Sequence, residues 1–300
     1  AFDGGVRALE GATGSEQWRA SLGGPVLSGA AVDSGATGSL LVVSGSPSVL
    51  NVLNAATGRA ISKVELGGEV VGAPAPFVVG DTRGVVLGIA DGTVDVRDGK
   101  GERVRSVKLD TKITTAPIVL TVASRQVVVV GTESGLVSLD ATDLHPLGRV
   151  ATEDDAPRGA LAAADMDNDG SPEIVMITRR GLIVVVNTAD GKIRWYMGGA
   201  NDAASAAFAD LNNDGVLDVL VPAGQTFAVG LSGRDHSLVW RVEEDVKAAA
   251  QTRGAGQLRS LAVLPQGGAP TPLLVGSDVS GTGLRAVGLP ANSVKASVRE

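Results

Sequence analysis

Ala206-Ala-Phe-Ala-Asp210-Leu-Asn212-Asn-Asp214-Gly215-Val-Leu-Asp218-Val-Leu-Val221 decides the reading of this chain, because a near copy stands 45 residues upstream. The copy is Leu161-Ala-Ala-Ala-Asp165-Met-Asp167-Asn-Asp169-Gly170-Ser171-Pro-Glu173-Ile-Val-Met176. In both, small apolar residues lead into an acidic nine-residue loop, which opens onto a β-branched run. Recurrence at this interval marks a structural repeat.

The repeat extends over the chain. A turn followed by a strand recurs at Ala12-Thr-Gly14 to Trp18, Ala56-Thr-Gly58 to Ser62, Gly99-Lys-Gly101 to Arg105, Ala141-Thr-Asp143 to Leu147, Ala189-Asp-Gly191 to Trp195 and Arg234-Asp-His236 to Trp240. The closing positions step by 44, 43, 42, 48 and 45 residues. A short alternating strand precedes each turn, such as Val94-Asp-Val96, and a second apolar run lies upstream of it. Each unit therefore carries about four strands, A to D. Closely spaced strands with turn signals indicate an all-β fold, and a 40–50 residue period of four-stranded units selects a β-propeller. One short helix is expected over Glu243–Arg253, around Val246-Lys-Ala-Ala-Ala250.

The units predict a single propeller over residues 1–300. Residues 1–25 form a half blade, and blades follow at about 26–69, 70–112, 113–157, 158–203, 204–257 and 258–300. C and D elements occur seven times if Leu284-Arg-Ala-Val-Gly-Leu289 and Val294-Lys-Ala-Ser-Val298 are the last pair, whereas A and B occur six times. The ring is then seven-bladed with an incomplete first blade, or six-bladed and closed by the N-terminal strands.

Composition narrows the function. The apolar share is 44% but aromatics are 3%, so Val, Ala, Leu and Ile must fill the core. No apolar run approaches the ~18 residues of a membrane span, so no direct membrane insertion is expected. Net charge is −7 with Lys and Arg scattered, which argues against nucleic acid as a partner. The absence of cysteine excludes disulfides, thiolate metal sites and cysteine nucleophiles.

Two propeller repeat families resemble these residues. Leu9-Glu-Gly-Ala-Thr-Gly14 leading to Trp18, and Asn187-Thr-Ala-Asp-Gly191 leading to Trp195, look like quinoprotein-type (PQQ-like) repeats. Ala206–Val221 is similar to the FG-GAP repeat of integrin α-subunit propellers, and Ala162–Val175 matches it nearly as well.

Oxygen side chains at loop positions 1, 3, 5 and 9 around a glycine at 6 can wrap a hard cation, with the residue at 7 offering its carbonyl. The FG-GAP resemblance implies this role for Asp165, Asp167, Asp169, Ser171 and Glu173, and for Asp210, Asn212, Asp214, Val216 and Asp218. Two Ca2+ sites are expected. The first, with four carboxylates against three and an amide, is expected to bind more tightly. An EF-hand fails, since its twelfth position is Met176 or Val221, and rigid octahedral Mg2+ is second choice. The opposing reading is a plain turn whose side chains cap backbone amides.

The PQQ-like resemblance also raises a quinone-dependent oxidoreductase. Trp18, Trp195 and Trp240 share one strand-D slot, however, where packing between blades is the simpler role. His145 and His236 read as exposed turn residues without triad partners. The expectation is a non-enzymatic, calcium-stabilised scaffold in an extracytoplasmic (periplasmic, cell-surface or secreted) setting, binding a protein or glycan. A sensor domain of a larger signalling protein is a further alternative. The face carrying Arg179, Arg180 and the irregular stretch Glu243–Gln257 is the expected docking surface.

Overall fold

Valine-rich runs cut by Gly, Asp and Pro turns give hairpin after hairpin. The computed structural model describes residues 3–26, 28–33, 38–45, 48–200, 205–223, 227–243, 261–264, 273–277 and 284–288. They fall into two compact units, 1–157 and 158–300. The helix expected beyond Glu243, the stretch to Gln257 and the strand at 294–298 lie outside the described residues; Glu243 itself ends a strand. Among the described residues no helix is long and apolar enough to cross a membrane.

In the first unit β1 (Gly5–Leu9) and β2 (Glu16–Ser21) pair alone. Three four-stranded meanders follow: β3 (Ala30–Asp33) to β6 (Ala60–Glu65) through β4 (Ser39–Ser44) and β5 (Val49–Asn54); β7 (Ala75–Val79) to β10 (Arg103–Lys108) through β8 (Thr82–Gly88) and β9 (Thr93–Asp98); and β11 (Ile118–Val122) to β14 (Pro146–Ala151) through β12 (Arg125–Thr132) and β13 (Gly135–Asp140).

The second unit repeats the pattern. Strands β15 (Pro157–Ala164), β16 (Glu173–Thr178), β17 (Leu182–Asn187) and β18 (Ile193–Gly198) form one sheet. Strands β19 (Ala207–Ala209), β20 (Asp218–Ala223), β21 (Phe227–Leu231) and β22 (Leu238–Glu243) form the next. β23 (Leu261–Leu264), β24 (Leu273–Ser277) and β25 (Leu284–Gly288) make a three-stranded sheet. The described pairings within each sheet are antiparallel between sequence neighbours, for example Val175↔Val185 and Val185↔Trp195.

Inner strands β8 and β9 are covered on both faces by neighbouring sheets of the first unit. Val52 of β5 packs with Val85 and Leu87 of β8, and Val96 of β9 with Val128 and Val137 of the following sheet. The alternation read in the third strands therefore does not expose one face. Asn51 is buried and donates to Val42 O and Ser44 Oγ, and Asp95 is fully buried against Arg97 and Arg103. Such polar groups are tolerated inside because each is paired.

A single interlock recurs between sheets. The C–D turns close onto a left-handed residue whose N–H donates back three or four positions, at Gly58, Gly101, Leu144, Gly191 and His236. The third residue of an outer strand then reaches the next turn. Trp18 Nε1 donates to Ala55 O at 2.9 Å, Ser62 Oγ to Lys100 O, Arg105 to Ala141 O and Thr142 O, and the Trp195 ring stacks on His236. In β14 that third position is Gly148, opposite Ser138, and not Leu147; the turn's left-handed slot falls on Leu144, one residue beyond the expected Asp143.

Candidate metal centre

Both acidic loops are A–B connections, joining β15 to β16 and β19 to β20. Their hydrogen bonding is the same. The position-1 carboxylate accepts from positions 5 and 6: Asp165 from Asp169 N and Gly170 N, Asp210 from Asp214 N and Gly215 N. The position-5 carboxylate accepts from position 7, Ser171 N at 2.7 Å and Val216 N at 2.9 Å. Position 9 begins the B strand and accepts from position 2, Met166 N to Glu173 at 2.9 Å and Leu211 N to Asp218 at 2.8 Å. Each loop thus coils its acids around its own amides.

Position 9 is the buried end of each site. Glu173 and Asp218 are fully buried. Burial pushes the Glu173 carboxyl above the usual glutamate range, with the Met166 N–H opposing, Asp167 adding and Arg194 opposing. Burial likewise raises Asp218 against the Leu211 and Gly233 N–H groups. By contrast the Val216 N–H, helped by Asn212 and Arg234, holds Asp214 low. A buried ionised carboxylate is costly, and a bound cation removes that cost.

The two loops differ in closure. Oxygens of Asp165, Asp167 and Glu173 lie within 4.8 Å of one another. Calcium holds its oxygens at about 2.3–2.6 Å, so ligands on one ion stand no more than ~5 Å apart. The first loop fits that requirement with these three residues; Asp169 is outside the group. Among the described residues no second group of three acids is so close, so Asp210, Asp214 and Asp218 do not converge as the first trio does.

Three partners carry no sequence signal. Arg194 Nη1 stands 2.8 Å from Asp167 Oδ2 and 3.2 Å from Glu173 Oε1. Arg234 Nε stands 3.2 Å from Asp214 Oδ2, and its Nη2 donates to the Asp214 carbonyl. Asn168 Nδ2 donates to Gly215 O at 2.9 Å, tying one loop to the other.

Of the residues weighed for catalysis, His145 is an exposed turn residue, its N–H donating to Asp143 Oδ1. His236 corrects the expectation of exposure: it is half-buried because Trp195 of the preceding sheet covers its ring. Trp18 and Trp195 both pack on the next turn, and the Trp240 side chain lies outside the described residues. Arg179 and Arg180 are exposed on the β16–β17 turn.

Comparison with known proteins follows this division. Residues 165–221 match the model of the FG-GAP-like repeat, and residues 3–143 match that of the outer membrane protein assembly factor BamB, a PQQ-type repeat model. No curated protein matches the chain. The crystal structure of BamB from Moraxella catarrhalis is similar over 97% of this chain and 79% of that one, with a TM-score of 0.67 at 16% identity. The crystal structure of BBS1N in complex with ARL6DN, soaked with lead, is similar over 81% of this chain and 71% of that one, with a TM-score of 0.59 at 14% identity. Identity this low speaks to fold alone. The chain is a β-propeller of four-stranded blades that resembles PQQ-type repeats over residues 3–143 and FG-GAP-like repeats over 165–221.

Proposed function

We propose that this propeller is a non-enzymatic protein-docking scaffold of an extracytoplasmic compartment, with calcium bracing its acidic loops. One observation supports docking above others. The fourth residue of the outer strands is Arg19, Lys63, Ser106 and Arg149 in β2, β6, β10 and β14, all exposed. Three of these four are charged, and charged side chains on exposed edges discourage strand pairing with other chains. In β18 the same place holds Tyr196, 70% exposed and followed by exposed Met197. Tyrosine and methionine are enriched where proteins meet.

Two relatives lend support from their names. One is an outer membrane protein assembly factor, and the other was crystallised in complex with a protein. The first also favours a periplasmic or outer-membrane-associated place. The Trp18 and Trp195 contacts favour packing over a quinone floor.

The test is site-specific crosslinking. A photoreactive residue at position 196, compared with one at the equivalent position 63, should capture a defined protein from the native compartment. Equal yields from both positions, or none from 196, overturn docking at β18. Calorimetry in calcium and in chelator tests the bracing separately.

A further inference from the structure

We infer that Arg194 is a built-in counter-ion of the first acidic loop, which holds the loop closed without metal and must be displaced before a divalent cation can enter. The first clause stands on the ion-pair geometry; the second rests on the calcium reading proposed above.

One guanidinium N–H group touches two of the three converging acids, Asp167 at 2.8 Å and Glu173 at 3.2 Å. It therefore occupies one carboxylate oxygen on each of two acids that an ion would have to share. Calcium at about 2.3–2.6 Å from both oxygens needs that same space. Arginine stays charged at any accessible pH, so it cannot leave by losing its proton. It also repels a dication placed beside it. Arg194 must swing away.

Glu173 shows what the arginine contributes. Its carboxyl is wholly buried. Besides Arg194 it accepts the Met166 N–H at 2.9 Å and a long 3.5 Å contact from Asn187 Nδ2. A buried charge stripped of its counter-charge is strongly destabilising. The second loop is built otherwise. Asp218 receives two backbone N–H groups, from Leu211 at 2.8 Å and Gly233 at 3.2 Å, and Arg234 pairs with Asp214 alone. No cation is shared by two acids there among the described contacts. Arg194 thus opposes the ranking expected from carboxylate number, in which the first loop binds more tightly.

The experiment compares wild type, R194Q and R194K in EDTA and in calcium chloride, by melting and by calcium isotherms in a D214A background that weakens the second loop. R194Q should melt below wild type in EDTA, and calcium should close the gap. Its calcium affinity should rise roughly five- to tenfold, the worth of a half-exposed ion pair reaching a buried acid. R194K, which keeps the charge and loses the planar fork, should fall between. Equal melting of R194Q and wild type in EDTA overturns the counter-ion role, and equal calcium affinity overturns displacement. If no variant binds calcium, the calcium reading fails, while the EDTA melts still decide the role of Arg194. If R194Q folds only with calcium, the counter-ion role is supported, and R194K supplies the isotherm.

Discussion

Trp195 of β18 stacks on His236 in the turn of the next blade, ring centroids 4.8 Å apart and planes inclined by 36°. The contact buries part of the imidazole, and that burial, with the charge of Arg194, lowers the histidine's pKa against a weaker opposing pull from Asp235. Folding therefore favours the neutral ring. Above the unfolded value of about 6.5 neither state carries the proton, and the contact's stability is fully present. As pH falls, the unfolded chain protonates first, so stability is lost down through the folded value. Urea midpoints between pH 7.5 and 5 should fall more steeply for wild type than for H236N. Asparagine tolerates the left-handed backbone at this position (φ 65°) and has no proton to take up. Parallel pH profiles refute the linkage.

Trp18 and Gly58 form the same interlock in the first unit, and here it can be tested by volume. A Cβ on Gly58 would stand 2.7 Å from Trp18 Cδ2, whereas one on Gly14 meets nothing within 4 Å. Both glycines are left-handed, at φ +69° and +70°. Alanine at either position carries the same backbone strain, about 1–2 kcal/mol. Only G58A adds overpacking, about 1–3 kcal/mol more. Denaturant unfolding should rank G58A well below G14A, and W18A should lessen the effect of G58A. Equal losses for the two glycines would remove the indole from the interlock.

The repeat was legible because turn chemistry and apolar runs recur in every blade. Inner strands such as β8 and β9 read as near-continuous Val and Leu because neighbouring sheets cover both their faces. What escaped were pairings fixed by sheet geometry. Val94-Asp95-Val96-Arg97 looks like a strand with one wet face, yet Asp95 is fully buried because Arg97 and Arg103 neutralise it. Asp165, Asp167 and Glu173 stand out by spacing as candidate ligands, and their oxygens lie within 4.8 Å of one another. Arg194, twenty-one residues beyond Glu173 on another strand, is one of 26 Lys and Arg and has no local signature. In the third full blade the left-handed slot lies one residue beyond Asp143, because Leu144 takes the place that glycine fills in four other turns.

The Asp95 cluster should be the costliest charge to disturb. Asp95 is buried, with Arg97 at 2.8 Å and 8% exposed, and Arg103 at 2.9 Å. Removing one charge of a buried pair leaves the other uncompensated, at a cost of about 3–5 kcal/mol. D95N should lower stability on that scale by urea unfolding. D110N, which breaks the exposed Asp110–Arg149 pair, should have no measurable effect. A mild D95N would mean that water reaches Arg97.

Calcium should act through Glu173 if the first loop holds the ion. Ligand that binds only the folded state stabilises it by about 2.7 kcal/mol at a hundred times its Kd. The melting temperature of the wild type should therefore climb with added calcium, and less with magnesium, which demands a rigid octahedron. E173Q keeps an oxygen for the Met166 N–H but removes the buried charge, so the calcium-dependent rise should shrink to whatever the second loop supplies. D190N removes an exposed acid on the neighbouring turn and should leave the rise intact. A rise that survives E173Q undiminished would locate the ion elsewhere. One that falls equally in D190N would mark a diffuse effect of net charge, since only a coordinated ion distinguishes a buried ligand from a surface acid nearby.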